Sequence, residues 1–492
     1  MELNKLTAIS AIDGRYRGIT APLSEYFSEY ALMRARIRVE MEYLIALSEA
    51  GLVRKFTKEE KDWLRNSGSF TLEHAETIKK IEKEGLGNIP ATNHDVKAVE
   101  YFITGQLTRT SLSDIAGWVH FALTSEDVDN IAQALLLRGA IENVLSPAAG
   151  ELEEKLDGLI AEHADTPMLA RTHGQPASPT TFGKEMRIYV ERLRRQAGQV
   201  AERSILVKFA GATGNFNAHV AAAPEIDWPK FAESFVERID KMRTDTRRGE
   251  SGARGVLDNT TSATQGPRNE VGVRILLNPI TAQTEPHDTY AELFDAMKRA
   301  NAVLIDLSQD YWRYISDGWI IQKSKEGEIG SSTMPHKVNP IDFENAEGNL
   351  EVANSFFELF SRVLPVSRLQ RDLSDSTIKR NFGAAFAHTL IAYKSLVRGL
   401  GKIEVNKEAM LEELCGHPEV IAEAIQTILR REGVTMPYEK LKELTRGKEI
   451  RMEDFAKFID ELSVNSEVKD KLKAIRPENY IGLAAQIAKK GL

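Results

Sequence analysis

The chain has 492 residues, of which 42% are hydrophobic and 28% charged, with a formal net charge of −8 at pH 7 and a pI near 5.8. This length predicts roughly two to four domains, and the acidic balance argues against a general nucleic-acid binder, which would carry a basic excess. Cys415 is the only cysteine, which excludes an intramolecular disulfide and a thiolate metal cage and favours a reducing cytoplasm. No stretch has the apolar length of a signal-peptide core or a membrane span, so we expect neither secretion nor membrane insertion.

The apolar pattern predicts a mainly helical protein of three domains. Residues 1–113 predict shorter helices with polar loops, and residues 114–396 predict a central bundle of long helices. In that region Leu293, Met297, Ala300, Leu304, Leu307 and Tyr311 follow alternating steps of four and three. Residues 397–492 return to short helices.

Three local features complete the predicted architecture. Ser146 and Pro147 resemble the cap and first position of a helix. Strand-like alternation is best in residues 205–220, where glycines predict a minor β-hairpin. Residues 241–270, within a charged insertion at about 239–271, hold few apolar side chains and predict a solvated segment that the protein does not need.

Two polar clusters precede helical patterns in the first third of the chain. Residues 92–95 read Thr-Asn-His-Asp, and residues 124–127 read Thr-Ser-Glu-Asp. A helix start presents free backbone amides beside such side chains, which suits an anion or a nucleotide edge. Either cluster is equally explained as a simple helix cap.

Further clusters add groups that transfer protons or bind anions. Residues 171–176 place His173 beside a guanidinium and an amide, which suits proton transfer near neutral pH, with a structural histidine as the alternative. Residues 370–380 offer two guanidiniums and three hydroxyls for a phosphate or paired carboxylates, although a charged helix end would explain them too. Residues 283–288 form a short polar loop before the longest apolar stripe.

Residues 330–340 read Gly-Ser-Ser-Thr-Met-Pro-His-Lys-Val-Asn-Pro. The glycine and prolines predict a surface loop, the kind of segment in which reactive groups concentrate. Within it Ser331 can exchange a proton, Lys337 can hold an anion and Asn339 can orient one. A hydrophilic connection is the simpler explanation for this loop alone, but the other clusters favour a functional site.

Together these segments resemble the aspartase/fumarase superfamily, whose Gly-Ser-Ser-x-Met-Pro-x-Lys-x-Asn-Pro loop matches residues 330–340 at every fixed position. Residues 92–100, 171–176, 283–288 and 370–376 are similar to the adenylosuccinate lyase family of the bacterial type. The resemblance covers nearly the whole chain. It departs at about residues 239–271, for which we recognise no counterpart in the bacterial form.

The resemblance implies β-elimination of fumarate from adenylosuccinate, giving AMP, and from the succinylcarboxamide ribotide SAICAR, giving AICAR, in purine nucleotide biosynthesis. Such a reaction needs a base for a weakly acidic proton, a cation for the developing aci-carboxylate and an acid for the departing nitrogen. By resemblance the base is Ser331 and the acid is His173. Lys337 would help to stabilise the serine alkoxide, and His94 would support His173.

The resemblance also implies substrate contacts and an assembly. The expected contacts to the succinyl carboxylates are Lys337, Asn339, Thr124, Ser125 and Gln283. Those to the phosphate are Arg15, Tyr16, Ser376 and Arg380, with Thr377 beside them. The expected contacts to the nucleoside are Asn93, His94 and Asp95, and Asn345 and Arg371 make further substrate contacts. It implies a homotetramer with active sites shared between three subunits, while the cytoplasmic location is the one that the single cysteine favours. It implies no metal or organic cofactor, and the sequence has no His/Cys ligand spacing or nucleotide-binding glycine motif.

Two other functions stay open at this point. The nearer alternative is another fumarate-releasing lyase, acting on argininosuccinate, malate or aspartate. The phosphate-type residues Arg15, Ser376 and Arg380 argue against it, because those substrates carry no phosphate. The more distant alternative is a helical scaffold that has lost the chemistry, although both proposed proton carriers are present.

Overall fold

A computed structural model describes residues 4–66, 70–242, 272–323, 334, 337–435, 437, 439, 441 and 450–490. Ser331 and most of the charged insertion therefore lie outside the described residues. The chain divides into two compact units that alternate along the sequence: the first comprises Met1–Ala149, Gln196–Ala302 and Asn349–Ala392, and the second comprises Gly150–Arg195, Val303–Gly348 and Tyr393–Leu492. The three domains predicted from the sequence, with boundaries near residues 113 and 396, stay a prediction.

The N-terminal part of the chain is helical, as its apolar spacing predicts. Its helices are α1 (Arg17–Thr20), α2 (Ser24–Phe27), α3 (Glu29–Glu49), α4 (Lys58–Arg65), α5 (Leu72–Lys83), α6 (Asp95–Leu107) and α7 (Ser125–Ala140). Hydroxyl side chains start several of them: the Ser28 side chain accepts the N–H of Ala31, and the Thr57 side chain accepts the N–H of Glu60. Helix α3 is largely buried and packs against α7.

Long helices follow in the central part of the chain. They are α8 (Ser146–His163), α9 (Phe182–Ala201), α12 (Asp288–Ser316), α13 (Ile341–Val363) and α15 (Phe382–Leu400), with the shorter α10 (Asn217–Ala222), α11 (Trp228–Lys241) and α14 (Ser374–Lys379) between them. The predicted stripe on α12 is confirmed, since Leu293, Leu304, Leu307 and Tyr311 are buried. Helix α8 begins at Ser146, where the sequence predicts a helix start, but the prediction that Ser146 is a cap is wrong. Ser146 has helical φ and ψ, because the π-helical turn Ile141–Leu145 joins α7 to α8 without a break.

Aromatic side chains fill the core of the first unit between α12, α13 and α15. The ring centroids of Phe294 and Phe360 each lie 5.0 Å from that of Phe382, and those of Phe294 and Phe357 are 5.7 Å apart. These residues sit on the inner faces of three helices, so their burial fixes how the helices pack.

The strands form two-stranded pairs, and the predicted hairpin at residues 205–220 is misplaced. The strands are β1 (Pro167–Thr172), β2 (Gln175–Thr181), β3 (Ser204–Val207), β4 (Arg274–Leu277), β5 (Ile320–Gln322) and β6 (Ile403–Val405). The hairpin is the antiparallel pair β1–β2. Residues 205–220 supply only β3, which pairs in parallel with β4, and the short helix α10.

The C-terminal part of the second unit has its own apolar core. Its helices are α16 (Lys407–Cys415), α17 (Ala422–Arg431), α18 (Met452–Asp460), α19 (Ser466–Lys473) and α20 (Ala484–Lys490). Leu414, Ile425, Phe455 and Leu472 are buried together there, and Leu169 of β1 joins them. The hairpin β1–β2 is thus anchored in the C-terminal core. Among the described residues, no helix has the length and apolar character needed to cross a membrane.

We predict that Gly183→Ala destabilises the protein by about 1–3 kcal/mol, because an added methyl group overpacks a filled site. A Cβ at residue 183 would lie 2.7 Å from the Cα of Ala164. Urea unfolding at a fixed protein concentration measures the effect. Gly105→Ala on α6 is the control, since a Cβ there meets nothing within 4 Å and alanine favours a helix. A Gly183→Ala protein as stable as the parent would contradict this packing.

Candidate active site

The start of α7 is held by a buried carboxylate. The Asp127 side chain accepts the backbone N–H of Thr124 at 2.9 Å, that of Ala210 at 2.9 Å and that of Gly211 at 3.1 Å. The amine of Lys208 lies 2.8 Å from Asp127 Oδ1, and both side chains are fully buried. Asp127 therefore fixes the first turn of α7, on which the predicted contacts Thr124 and Ser125 lie.

The loop after β3 connects this helix start to the predicted contact Gln283. Asn130 lies one turn along α7. Its side chain accepts the backbone N–H of Lys208 at 2.7 Å and donates to the backbone carbonyl oxygen of Lys208 at 3.0 Å. At Gly214 a Cβ would lie 2.2 Å from the carbonyl oxygen of Thr281, so only glycine allows this contact. Thr281 precedes Gln283 by two residues. The loop thus brings the Gln283 segment to the start of α7.

A second charged cluster lies on the same helix. The amine of Lys379 on α14 is 2.8 Å from Asp375, 3.4 Å from Glu126 and 3.7 Å from Asp129. Arg371 reaches the second oxygen of Glu126 at 3.1 Å. The cluster joins the predicted contact Arg371 and helix α14, which carries Ser376 and Thr377, to the start of α7.

The buried charges of this cluster shift one another's pKa values. Burial alone would lower the pKa of Lys379, but the carboxylates of Glu126, Asp129 and Asp375 raise it above its ordinary value. Burial opposes ionisation of Asp129, yet Arg36 and Lys379 lower its pKa to about 2. For Glu126 burial is the larger effect and raises the pKa.

Glu126, His287 and Asp375 also offer ligand atoms that all lie within 4.8 Å of one another. These two carboxylates and one imidazole resemble a metal-binding set. However, the Lys379 amine already contacts both carboxylates. Lys379 is thus the cation that these carboxylates bind, and the set does not fit a resident metal.

The predicted nucleoside residues lie at the start of α6. His94 is the N-cap residue, and its Nδ1 accepts the N–H of Lys97 at 3.2 Å. Asn93 before it has a positive φ of 45°. Asp95 lies 2.9 Å from Arg36, which also binds Asp129 at 2.5 Å. Arg36 thus connects the α6 cluster to the charged cluster on α7.

Two predicted phosphate residues are in contact with each other. Arg380 Nη1 donates to the Ser376 hydroxyl at 2.5 Å, at the end of α14. Arg15 and Tyr16 lie together just before α1, with the guanidinium carbon of Arg15 5.9 Å from the ring centroid of Tyr16. All four residues belong to the first unit.

The remaining predicted residues belong to the second unit. His173 is exposed at the tip of the β1–β2 hairpin, with a left-handed φ of 53°. Asn345 on α13 accepts the Ser395 hydroxyl at 2.8 Å. The backbone N–H of Lys337 donates to Met334 at 3.0 Å, and Asn339 lies two residues further on. Ser331 lies outside the described residues.

Sequence reasoning missed His120, which lies four residues before Thr124. Its Nδ1 is 2.5 Å from Glu40 Oε1, its backbone N–H donates to Glu40 Oε2 at 3.2 Å, and its φ is 59°. Burial would lower the pKa of His120, but Glu40 raises it. Its position four residues before Thr124 was the only sign in the sequence that His120 lies near this cluster. The contact with Glu40 could not be seen there, because Glu40 is 80 residues away.

It also missed the buried ion pair between Glu126 and Lys379. The i, i+4 spacing of Asp375 and Lys379 is a readable signal for an ion pair on a helix. Their partner Glu126 is 253 residues from Lys379, a separation that no local pattern reveals.

The mainly helical fold and two family models identify the class of protein as a lyase of the fumarase type. The family model described as Lyase matches residues 14–248 and 263–353, and the one described as Adenylosuccinate lyase C-terminal matches residues 367–481. A solved fumarate lyase from Mesorhizobium sp. BNC1 is similar with a TM-score of 0.68 at 16% identity, covering 95% of this chain and 96% of that one.

Curated relatives show which family of lyases the chain resembles. Adenylosuccinate lyase of Escherichia coli K12 is 44% identical over 489 residues, covering 98% of each chain. That of Dictyostelium discoideum is 45% identical over 496 residues, again covering 98% of each. The chain belongs to the adenylosuccinate lyase family. The Lyase model leaves residues 249–262 unmatched, and these fall within the charged insertion.

We predict that His219 makes folding stability depend on pH between about 6.5 and 4. It is buried among Phe209, Phe216 and Trp228, and burial lowers its pKa to about 4. As the pH falls below 6.5 the unfolded chain binds a proton that the folded protein does not. The free energy of unfolding therefore falls by up to about 1.4 kcal/mol per pH unit from this group.

Urea unfolding across this pH range measures the effect, with His219→Phe as the comparison. The variant is expected to show a shallower fall below pH 6.5. Above pH 7 both proteins are expected to show the same slope, because the imidazole is then neutral in both states. Equal slopes between pH 6.5 and 4 would contradict the assignment.

Proposed function

We propose that this chain eliminates fumarate from adenylosuccinate, giving AMP, and from SAICAR, giving AICAR. The observation that carries the proposal is the 44% identity to adenylosuccinate lyases along 98% of the chain. The joining of the α6, α7, α14 and Gln283 segments within one compact unit adds support, because these segments hold most of the predicted substrate contacts.

The succinyl carboxylates bind at the start of α7 in this proposal. The free N–H groups of a helix start and the helix dipole both attract an anion. Two acidic residues, Glu126 and Asp127, also lie in that first turn and would repel it. Lys379 and Arg371 form ion pairs with Glu126, and Lys208 forms one with Asp127. Because these cations offset the negative charges, Thr124 and Ser125 remain suited to a carboxylate.

The phosphate binds at the end of α14 in this proposal. Arg380 is exposed and its contact with Ser376 orients the guanidinium beside a hydroxyl. A guanidinium and a hydroxyl together suit phosphate oxygens. Asn93, His94 and Asp95 would contact the nucleoside, and Asp95 is already oriented by Arg36.

The chemistry divides between two proton carriers. Ser331, as an alkoxide stabilised by Lys337, takes the proton from the carbon next to the carbon that bears the leaving nitrogen. The resulting aci-carboxylate is stabilised by cations and amides, and the C–N bond then breaks. His173 donates a proton to the departing nitrogen. The exposed tip position leaves the imidazole of His173 accessible to a substrate.

The assembly is a homotetramer in this proposal, with each active site built from three subunits. Long helices carry exposed apolar side chains: Trp312 on α12 is 45% exposed and Val352 on α13 is 41% exposed. Such surface on bundle helices suits packing against other copies of the chain. The cytoplasm is the proposed location, as for a nucleotide-synthesising enzyme.

We predict that Ser331→Ala and His173→Ala each lower kcat for adenylosuccinate by about 10²–10⁴-fold, because each removes one proton carrier. Ultraviolet absorbance during conversion to AMP and fumarate measures turnover, and sedimentation checks the assembly. Ser466→Ala on the exposed surface of α19 is the control and is expected to keep the parent rate.

Two outcomes would contradict this function. A parent protein that is inactive on adenylosuccinate but releases fumarate from argininosuccinate, malate or aspartate would favour another lyase of the superfamily. An intact tetramer that turns over none of these substrates would favour the scaffold alternative.

A further inference from the structure

The tip of the β1–β2 hairpin is strained at the residue proposed as the acid. Thr172 pairs with Gln175, so His173 and Gly174 form a two-residue turn, with φ values of 53° and 73°. Positive φ at both positions is typical of a type I′ turn, for which Asn-Gly is preferred. A residue with a side chain in this conformation costs about 1–2 kcal/mol, so its surroundings must hold it there.

One arginine connects this tip to the C-terminal part of the second unit. Arg171 Nη1 donates to the carbonyl oxygen of Gly174 at 3.3 Å, and this hydrogen bond restrains the turn. Its Nη2 donates to one carboxylate oxygen of Glu413 on α16. The indole N–H of Trp319 donates to the other oxygen of Glu413. Glu413 therefore fixes Arg171, and Arg171 fixes the tip.

The rest of the hairpin is held independently of Glu413. Leu169 on β1 is 1% exposed within the C-terminal apolar core. On the returning strand β2, the Ser178 hydroxyl donates to Glu423, which also accepts the Tyr480 hydroxyl at 3.1 Å. Two glutamates of the C-terminal helices thus hold the same hairpin, one at its tip and the other away from it.

We propose that Glu413 is a positioning residue for His173 and acts through Arg171. The inference rests on the proposed function, in which His173 protonates the departing nitrogen. Without Glu413 the Leu169 and Glu423 anchors keep the hairpin in place, but Arg171 is no longer held against the backbone of the turn that carries His173. The C-terminal part of the chain then contributes to catalysis by orienting a residue that lies about 240 positions earlier in the sequence.

The energetics separate this role from a contribution to folding. The side chains of Arg171 and Glu413 are 29% and 25% exposed, and an ion pair with such access to solvent contributes about 1 kcal/mol or less to stability. Misplacement of a catalytic group by about 1 Å, however, can cost on the order of 100-fold in rate. Loss of Glu413 is therefore expected to affect turnover far more than folding.

Steady-state kinetics with adenylosuccinate test the proposal, using Glu413→Ala and the matched variant Glu423→Ala. We expect Glu413→Ala to lower kcat by about 10- to 100-fold with KM within about threefold of the parent. Glu413→Gln keeps an acceptor for Arg171 and is expected to fall in between. Glu423→Ala is expected to stay within about threefold of the parent in both constants.

A double-mutant cycle distinguishes positioning from a general structural effect. In a His173→Ala background, positioning predicts that Glu413→Ala changes the residual kcat by less than about twofold, because there is no imidazole left to orient. A structural effect would multiply the two losses. The proposal is overturned by multiplied losses, by an unchanged kcat in Glu413→Ala, or by an equal loss in Glu423→Ala.

The parent rate separates this proposal from the one on which it rests. A parent protein without turnover of adenylosuccinate would overturn the proposed function and this inference with it. An active parent that loses activity with His173→Ala but not with Glu413→Ala would overturn the inference alone.

Discussion

The candidate substrate site depends on the buried carboxylate of Asp127. It accepts backbone N–H groups from the start of α7 and from the loop after β3, and its charge is met by Lys208. That loop in turn contacts the segment before Gln283 through Gly214. Breaking a buried ion pair on one side leaves an uncompensated charge, which costs about 3–5 kcal/mol. This interaction therefore holds two segments that are distant in sequence, and the loop after β3 contacts the third.

The same helix start combines acidic residues with a proposed anion site, and its ion pairs resolve this conflict. Lys379 and Arg371 form ion pairs with Glu126, while Arg36 and Lys379 form ion pairs with Asp129.

Backbone strain occurs in the same region and in the hairpin β1–β2. Asn93, His120, His173 and His287, all in or beside polar clusters, have positive φ values of 45°, 59°, 53° and 65°. Such strain persists where the surroundings determine the backbone, as at ligand-binding sites.

Local patterns predicted the helices and the motifs but not the long-range pairs. The stripe on α12 was readable because burial repeats with the helical period. The hairpin was misplaced, because its turn is His173-Gly174 rather than Asn-Gly, and Pro176 interrupts the strand pattern. Parallel pairing of β3 with β4 joins residues about 70 positions apart, which no local signal reveals. For the same reason Glu413 could not be connected with His173 from sequence.

The most direct measurement is a double-mutant cycle on Asp127→Asn and Lys208→Met, read by urea unfolding. If this pair holds the site together, each single variant loses about 3–5 kcal/mol of unfolding free energy, and the double variant loses much less than the sum. Single variants within about 1 kcal/mol of the parent, or strictly additive losses, would contradict the account.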